Sequence, residues 1–330
     1  MKRYDMSLLL VIAAIGCGDV NKTDSGQSGD PTPDDGAGAA RRRVTPDDGA
    51  KKSAAEKTRL TLTLLEGQTF VLENTTNQTI TSTIAGRPIS VSQQVVLHTR
   101  QTVESIDSDG VAIIDVEFIR VKIDQRGGAL SGNYDSEEPP DGPPPPTPFA
   151  SLKGRRFTKH VARDGSIVKL EGAEQLLREM FDANPADYGP AQQAYREMVS
   201  SIFDGAGLED MEQIATPIFP KHEIGPGDQW ENRVVIEKVM PAILYHTYEV
   251  VRRSGGEMIV SLKTDVQPND AADPVLKRPE TVLVLSGRQT GTLTIDEKTG
   301  LTIAKTVHQN LSGRRVVRSP DSEESTEVPI

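Results

Sequence analysis

Two stretches of the chain put apolar residues on every second position between short turns of Asp, Gly and Pro, a pattern that points to antiparallel β-strands. The first covers residues 57–136, rich in Thr, Val, Ile and Gln, with Leu60, Leu62 and Leu64 and then Val91, Val95, Leu97 and Val103 alternating among polar neighbours. Ala85-Gly86-Arg87-Pro88 and Asp107-Ser108-Asp109-Gly110 are expected to reverse the chain, because Asp bonds its own backbone and Gly accepts positive φ. A further strand pair is predicted over 155–163 and 166–170 about Asp164-Gly165. The second stretch predicts strands over 229–239, 243–252, 258–266, 281–295 and 301–311, with Ser254-Gly255-Gly256-Glu257 and Asp296-Glu297-Lys298-Thr299-Gly300 as tight links.

Between them the period changes to three and four. Ala191, Ala194, Tyr195, Met198, Val199, Ile202 and Phe203 lay an apolar stripe along one helix, which Asp204-Gly205 stops. A shorter helix is predicted before it around Leu176, Leu177, Met180 and Phe181, and another after it around Leu208, Met211 and Ile214. The two strand sets begin alike, with Gly67-Gln68-Thr69-Phe70 and Gly227-Asp228-Gln229-Trp230, and each ends in a pair turned by Asp-Gly or Thr-Gly. The expected fold class is therefore mainly β (β-rich α+β). Two similar antiparallel meanders of five strands form a curved sheet or a partly closed barrel, with a helical insert at 172–216 covering its apolar face.

The ends of the chain read differently. Lys2 and Arg3 precede the apolar run from Met6 to Ile15 and then Ala14-Ile15-Gly16-Cys17, the order of a short signal peptide ending at a small residue and a thiol. The run falls short of the roughly 20 residues that cross a bilayer as a helix. Cys17 is the only cysteine of the 330 residues, so no internal disulfide can form. Residues 18–56 are Gly, Ser, Asp, Pro and Ala with hardly a bulky side chain, and cannot offset the entropy of ordering. They are expected to form a tether with a root-mean-square reach of roughly 35 Å. The domain plan is thus signal peptide 1–16, Cys17 and disordered tether 17–56, β-rich domain 57–313 with a Pro-rich loop at 137–150, and disordered tail 314–330.

Ala14-Ile15-Gly16-Cys17 resembles the lipobox of bacterial lipoproteins, which implies cleavage between Gly16 and Cys17 and attachment of a diacylglyceryl group and further acyl (palmitate) chains to Cys17. Several chains at about 0.8 kcal/mol per buried methylene make a stable anchor. The lipobox, the tether, Gly67-Gln68-Thr69-Phe70, Tyr134-Asp135-Ser136, Phe157-Thr158, the run from Asp164 to Gly172, and Phe219-Pro220 ahead of Gly227-Asp228-Gln229-Trp230 together resemble an uncharacterised bacterial envelope lipoprotein family, a domain of unknown function. The resemblance implies a β-rich envelope domain and transfers no catalytic residues.

The chemistry in the sequence is sparse. No Gly-x-Ser-x-Gly elbow, Walker loop or His-Glu-x-x-His helix is present, and Ile-Gly-Pro after His222-Glu223 prevents the helix a zincin needs. His98, His160, His246 and His308 stand singly in predicted strands. Asp107-Ser108-Asp109-Gly110 brings its Gly too early for a calcium loop. Trp230 is expected to be a core anchor, and the charges at Asp135, Glu137 and Glu138 to be solvated. A formal charge of −11 opposes nucleic acid. The expectations are no cofactor, no metal and no catalytic residue. The chain is expected to be a non-catalytic envelope protein held to the membrane through Cys17, its curved domain binding an apolar small molecule or an envelope protein. The alternatives are a solid spacer without a ligand, or a hydrolase with a site assembled from distant strands around His160 or His222.

Overall fold

A computed structural model describes residues 3–5, 57–84, 87–127, 132–138, 149–183, 200, 203–237, 241–269, 281–318 and 325–329. The chain is mainly β, in two antiparallel sheets that do not close into a barrel. The first meander is β2 (Thr69–Ile84), β3 (Arg87–Ile106), β4 (Ala112–Arg126), β6 (Arg156–Val161) and β7 (Ile167–Glu171), side by side in that order. The short β5 (Gly132–Asp135) pairs with the far end of β4, and β1 (Arg3–Asp5) pairs in parallel with β2. The second meander is β8 (Gln229–Ile236), β9 (Ala242–Ser254), β10 (Glu257–Pro268), β11 (Thr281–Asp296) and β12 (Thr302–Arg318), with β13 (Ser325–Pro329) added to β12.

The two halves start with the same turn. Gly67 has φ +75°, its N–H donates to Val103 O at 2.8 Å, and Val103 N–H donates to Gln68 O at 2.9 Å. Gly227 has φ +88°, its N–H donates to Val250 O at 2.8 Å, and Val250 N–H donates to Asp228 O at 3.0 Å. The residue after each glycine caps its own turn: Gln68 Oε1 accepts from Leu65 N–H and Asp228 Oδ2 accepts from Gly225 N–H. Phe70 and Trp230 then follow as equivalent buried anchors. Trp230 stacks on Tyr248 at 4.8 Å and donates through Nε1 to Ile218 O. The halves also end alike. Asp164 Oδ1 accepts from the N–H and Oγ of Ser166, and Asp296 Oδ1 accepts from the N–H and Oγ1 of Thr299, each beside a glycine of positive φ. Shared turn chemistry at both ends supports the reading of the two meanders as diverged copies.

Each half is entered by an extended leader, and the leaders exchange contacts with the opposite half, although Leu62 N–H keeps to its own half by donating to Arg163 O. Residues 57–66 lead into β2, yet Thr63 N–H donates to Thr299 O in the closing turn of the second meander, and Leu60 is buried in the second half's core. Residues 216–226 lead into β8, yet Phe219 N–H donates to Asp164 O in the closing turn of the first. The leaders cross at Thr58 and Ile224, which bond each other through both N–H groups. Leu60, Leu62 and Leu64 therefore do not lie in a strand, as their alternation predicts; they sit on a crossing segment that turns Leu60 to one core and Leu64 to the other.

α1 (Ala173–Ala183) and α2 (Gly205–Ala215) cover the first sheet, with Leu176, Met180, Leu208 and Met211 in its core. The long helix predicted over 191–203 lies almost wholly outside the described residues. Asp204 does more than stop it: its side chain accepts from Gly207 N–H and starts α2. The Pro-rich loop also falls largely outside the described residues, and the turn between β2 and β3 falls on residues 85–86, outside them as well. The tail needs correction. Residues 314–318 continue β12 and 325–329 form β13, because pairing with β11 and along β12 satisfies backbone groups whatever the local composition.

Gly165 and Gly300 carry the exchanged leaders. A Cβ there would stand 2.3 Å from Pro217 O and 2.4 Å from Thr61 O, whereas one on Gly67 or Gly227 would meet nothing within 4 Å. Changing Gly67 or Gly227 to Ala is expected to cost about 1 kcal/mol from backbone strain alone. Gly165→Ala and Gly300→Ala are expected to cost at least twice as much, measured by denaturant unfolding; equal costs in the four variants would show that the leaders do not press on these turns.

Candidate functional site

Cys17 and Gly16, the residues of the predicted lipidation and cleavage site, lie outside the described residues. The histidines do not gather. His98 lies 3.4 Å from Glu73, His160 lies 3.3 Å from Glu171, and His222 and His308 are exposed in separate places. Among the described residues no three His, Cys, Asp or Glu come close enough to hold a metal ion. The Asp107 carboxylate is occupied by the N–H groups of Asp109 and Val111, the turn its spacing predicts. Asp135 and Glu137 are not merely solvated. Arg120 grips Asp135 through Nε and Nη2 and reaches Glu137 at 3.1 Å, and this pairing holds the Asp135 carboxyl below its usual range.

The unexpected polar groups are inside. On the inner face of the second sheet Asn232, His246, Thr264, Gln289 and Gln309 stand opposite one another on five successive strands. This row separates a junction cluster containing Tyr248, Leu262 and Leu293 from a distal cluster containing Leu244, Val266 and Leu285. His246 Nδ1 shares a 2.7 Å hydrogen bond with Thr264 Oγ1, and Asn232 Nδ2 donates to Ile218 O. Gln289 Nε2 and Gln309 Oε1 are buried without a hydrogen-bond partner among the described residues.

Two buried lysines tie α2 to the sheets. Lys159 of β6 forms a 2.7 Å ion pair with Glu212. Lys305 of β12 has no carboxylate partner among the described residues; its Nζ donates to Ile214 O and Ala215 O at 3.1 and 3.2 Å. Those carbonyls end a helix, where its dipole favours a cation. Burial pushes the Lys305 ammonium down to about 8. Burial, with the Lys305 charge adding to it, pushes His246 down to about 4, so the imidazole is neutral at pH 7.

Two recesses stand out among the described residues. A small, partly open one of about 50 Å³ lies where the sheets and leaders meet, lined by Leu64, Phe70, Lys159, Phe219, Leu301 and Thr302 among others. An open trough of about 450 Å³ lies on the outer face of the β2–β3–β4 extension, lined by Asn77, Thr79, Ser92, Gln93, Gln94, Asp124 and Arg126. Its walls are held by cross-strand bonds, Gln94 Nε2 to Asn77 Oδ1 at 2.7 Å and Thr79 Oγ1 with Ser92 Oγ at 2.9 Å. The sequence shows the polar residues of these strands, but the register that collects them is a property of the paired hairpin.

Buried His246 and Lys305 set a pH signature. His246 has a lower pKa folded than unfolded, so the unfolded chain takes up its proton first, and stability is expected to fall as pH drops from about 6.5 to about 4. Lys305 acts in the same sense higher up: stability is expected to rise as pH passes from about 8 towards 10, until Tyr248, raised by burial, opposes it. Lys305→Met should remove the alkaline rise in denaturant midpoints and leave the acid limb; an unchanged rise would show that Lys305 is not its source. Glu212→Gln, which strands Lys159, is expected to cost about 3 kcal/mol in the same assay.

No curated protein sequence and no solved structure matches the chain. A family model does match, over residues 109–302, more than half of the chain, from the Asp107 turn through β4 to β7 and both helices to the closing turn of the second meander. The chain therefore belongs to that family, the Family of unknown function (DUF6263).

Proposed function

We propose that the chain is a lipid-anchored bacterial envelope protein, cut before Cys17 and acylated there, whose β-domain meets a protein partner on its outer surface and performs no covalent chemistry. The observation that carries the surface reading is the contrast between the two recesses. A pocket for a small apolar molecule runs to about 300 Å³ or more. The inner recess offers about 50 Å³, while the larger recess is open and lined by amides, hydroxyls and one ion pair. The first is too small for an apolar cargo of that size, and hydrogen-bonding groups predominate in the second. Hydrogen-bonding side chains held in register suit a polar protein surface.

The small size of that inner recess also favours a second reading, a solid spacer that holds the envelope surface without a ligand. The anchor reading is common to both and rests on the signal-like order of residues 1–17, with the tether giving the domain freedom from the membrane plane.

Mass spectrometry of the N-terminus from the native bacterium tests the anchor. The expected product begins at Cys17 with a thioether-linked diacylglyceryl group, and Cys17→Ala should leave the chain uncut and unacylated. An uncut wild-type chain with a free thiol would overturn the anchor. Crosslinking from Asn77 or Ser92 in living cells tests the surface reading: a discrete partner adduct lost on Gln94→Arg is expected, and no adduct from any trough position would favour the spacer.

A further inference from the structure

Both sheets carry a pair of inward-facing glutamines opposite each other on neighbouring strands, and the two pairs behave differently. In the first sheet Gln93 of β3 faces Gln125 of β4, and Gln93 Nε2 donates to Gln125 Oε1 at 3.3 Å. In the second sheet Gln289 of β11 faces Gln309 of β12 in the same direct register, yet the corresponding bond is not made. Gln289 Nε2, a donor, and Gln309 Oε1, an acceptor, are both buried without a partner among the described residues, and Gln289 as a whole is only 3% exposed. Native interiors rarely leave such groups unpaired.

The backbone around Gln289 leaves its flanks bare. The inward-facing positions two before and two after it are Gly287 and Gly291. A Cβ on Gly287 would stand 2.3 Å from Asn310 O and one on Gly291 2.2 Å from Thr306 O, so neither position admits a side chain. The next side chains of β11 on that face are Leu285 and Leu293, one in each of the clusters that the polar row separates. Gln289 is therefore the only inward side chain that β11 supplies between them. On β10, directly opposite Gln289, stands Thr264, whose Oγ1 shares a 2.7 Å bond with His246 Nδ1. Whichever of those two atoms donates, the Thr264 hydroxyl keeps a proton or a lone pair for a further partner.

We propose that one water molecule is bound inside the second sheet between Gln289 and Gln309, accepting from Gln289 Nε2 and donating to Gln309 Oε1, with the Thr264 hydroxyl as its third partner. About three hydrogen bonds to otherwise unpaired polar groups is the usual coordination of an internal water. The two orphaned atoms select water over an ion. An anion would face the Gln309 carbonyl oxygen and a cation the Gln289 amide protons, whereas the pair calls for one group that both accepts and donates. The water makes the polar row continuous from His246 to Gln309 and offsets part of what two stranded groups would cost. The site is independent of the membrane anchor and of the outer surface.

A high-resolution crystal structure and water-to-protein NOE measurements on the full chain test it together. The expected density is a single oxygen about 2.9 Å from both Gln289 Nε2 and Gln309 Oε1. The expected NOE runs from water to the Gln289 Nε2 protons with the sign of a molecule that tumbles with the protein. It should persist in Thr264→Val, which excludes relay through that hydroxyl proton, and be lost in Gln309→Leu. If either variant fails to fold, the density and the wild-type NOE decide. Overturning results are a direct Gln289–Gln309 hydrogen bond, a dry contact between the two amides, density larger than one oxygen, or no water NOE to resolved Gln289 Nε2 protons.

Discussion

The exchange of leader segments is the constraint on which the rest of the structure depends. Each meander could bury its own strands, but the extended chain that enters one is hydrogen-bonded to the closing turn of the other, Thr63 to Thr299 and Phe219 to Asp164, and the leaders bond each other at Thr58 and Ile224. The backbone groups of Thr58, Thr63, Phe219 and Ile224 on these segments take partners across the two halves and would lose them if the halves parted. The two meanders thus form one cooperative body although their turns mark them as copies of one unit. The glycines at 165 and 300 exist in this setting as places where a second backbone comes too close for any side chain.

α2 adds a second tie, and here the copies have diverged. In the first sheet a buried lysine finds a carboxylate, Glu212; in the second, Lys305 finds only the carbonyl end of the same helix. Both solutions hold α2 between the sheets by polar contacts in a setting that is otherwise apolar. The row from Asn232 to Gln309 extends the asymmetry, since the first sheet's inner face is apolar over most of its length. A polar row with a donor and an acceptor left over costs stability. Its register across five strands also restricts how they can slide, because a slip would bury these groups against Leu244 or Leu262.

Much of the architecture was legible in the chain. Strand alternation, the Asp-Gly turns and the repeated Gly-x-x-aromatic starts each depend on residues close in sequence, and the structure follows them within a few positions. Contacts without a local signal were not legible. Lys159 and Lys305 read as ordinary strand lysines, because their partners lie 53 and about 90 residues away. Leu60, Leu62 and Leu64 have strand spacing but serve two different cores. The 314–318 segment looks too charged to be ordered until its pairing with β11 is seen. Trp230 as an anchor and the scattered histidines were readable from their isolation, whereas His246 was not, since burial is set by the helix end and sheet above it.

The exchanged leaders also decide where a mechanical load would enter. A pull applied to the chain at residue 57 reaches the body at the Lys57–Asp228 ion pair and the doubly bonded Thr58–Ile224 crossing. Force at that point is divided between both halves and loads several backbone bonds in shear, instead of unzipping a strand bond by bond from its end.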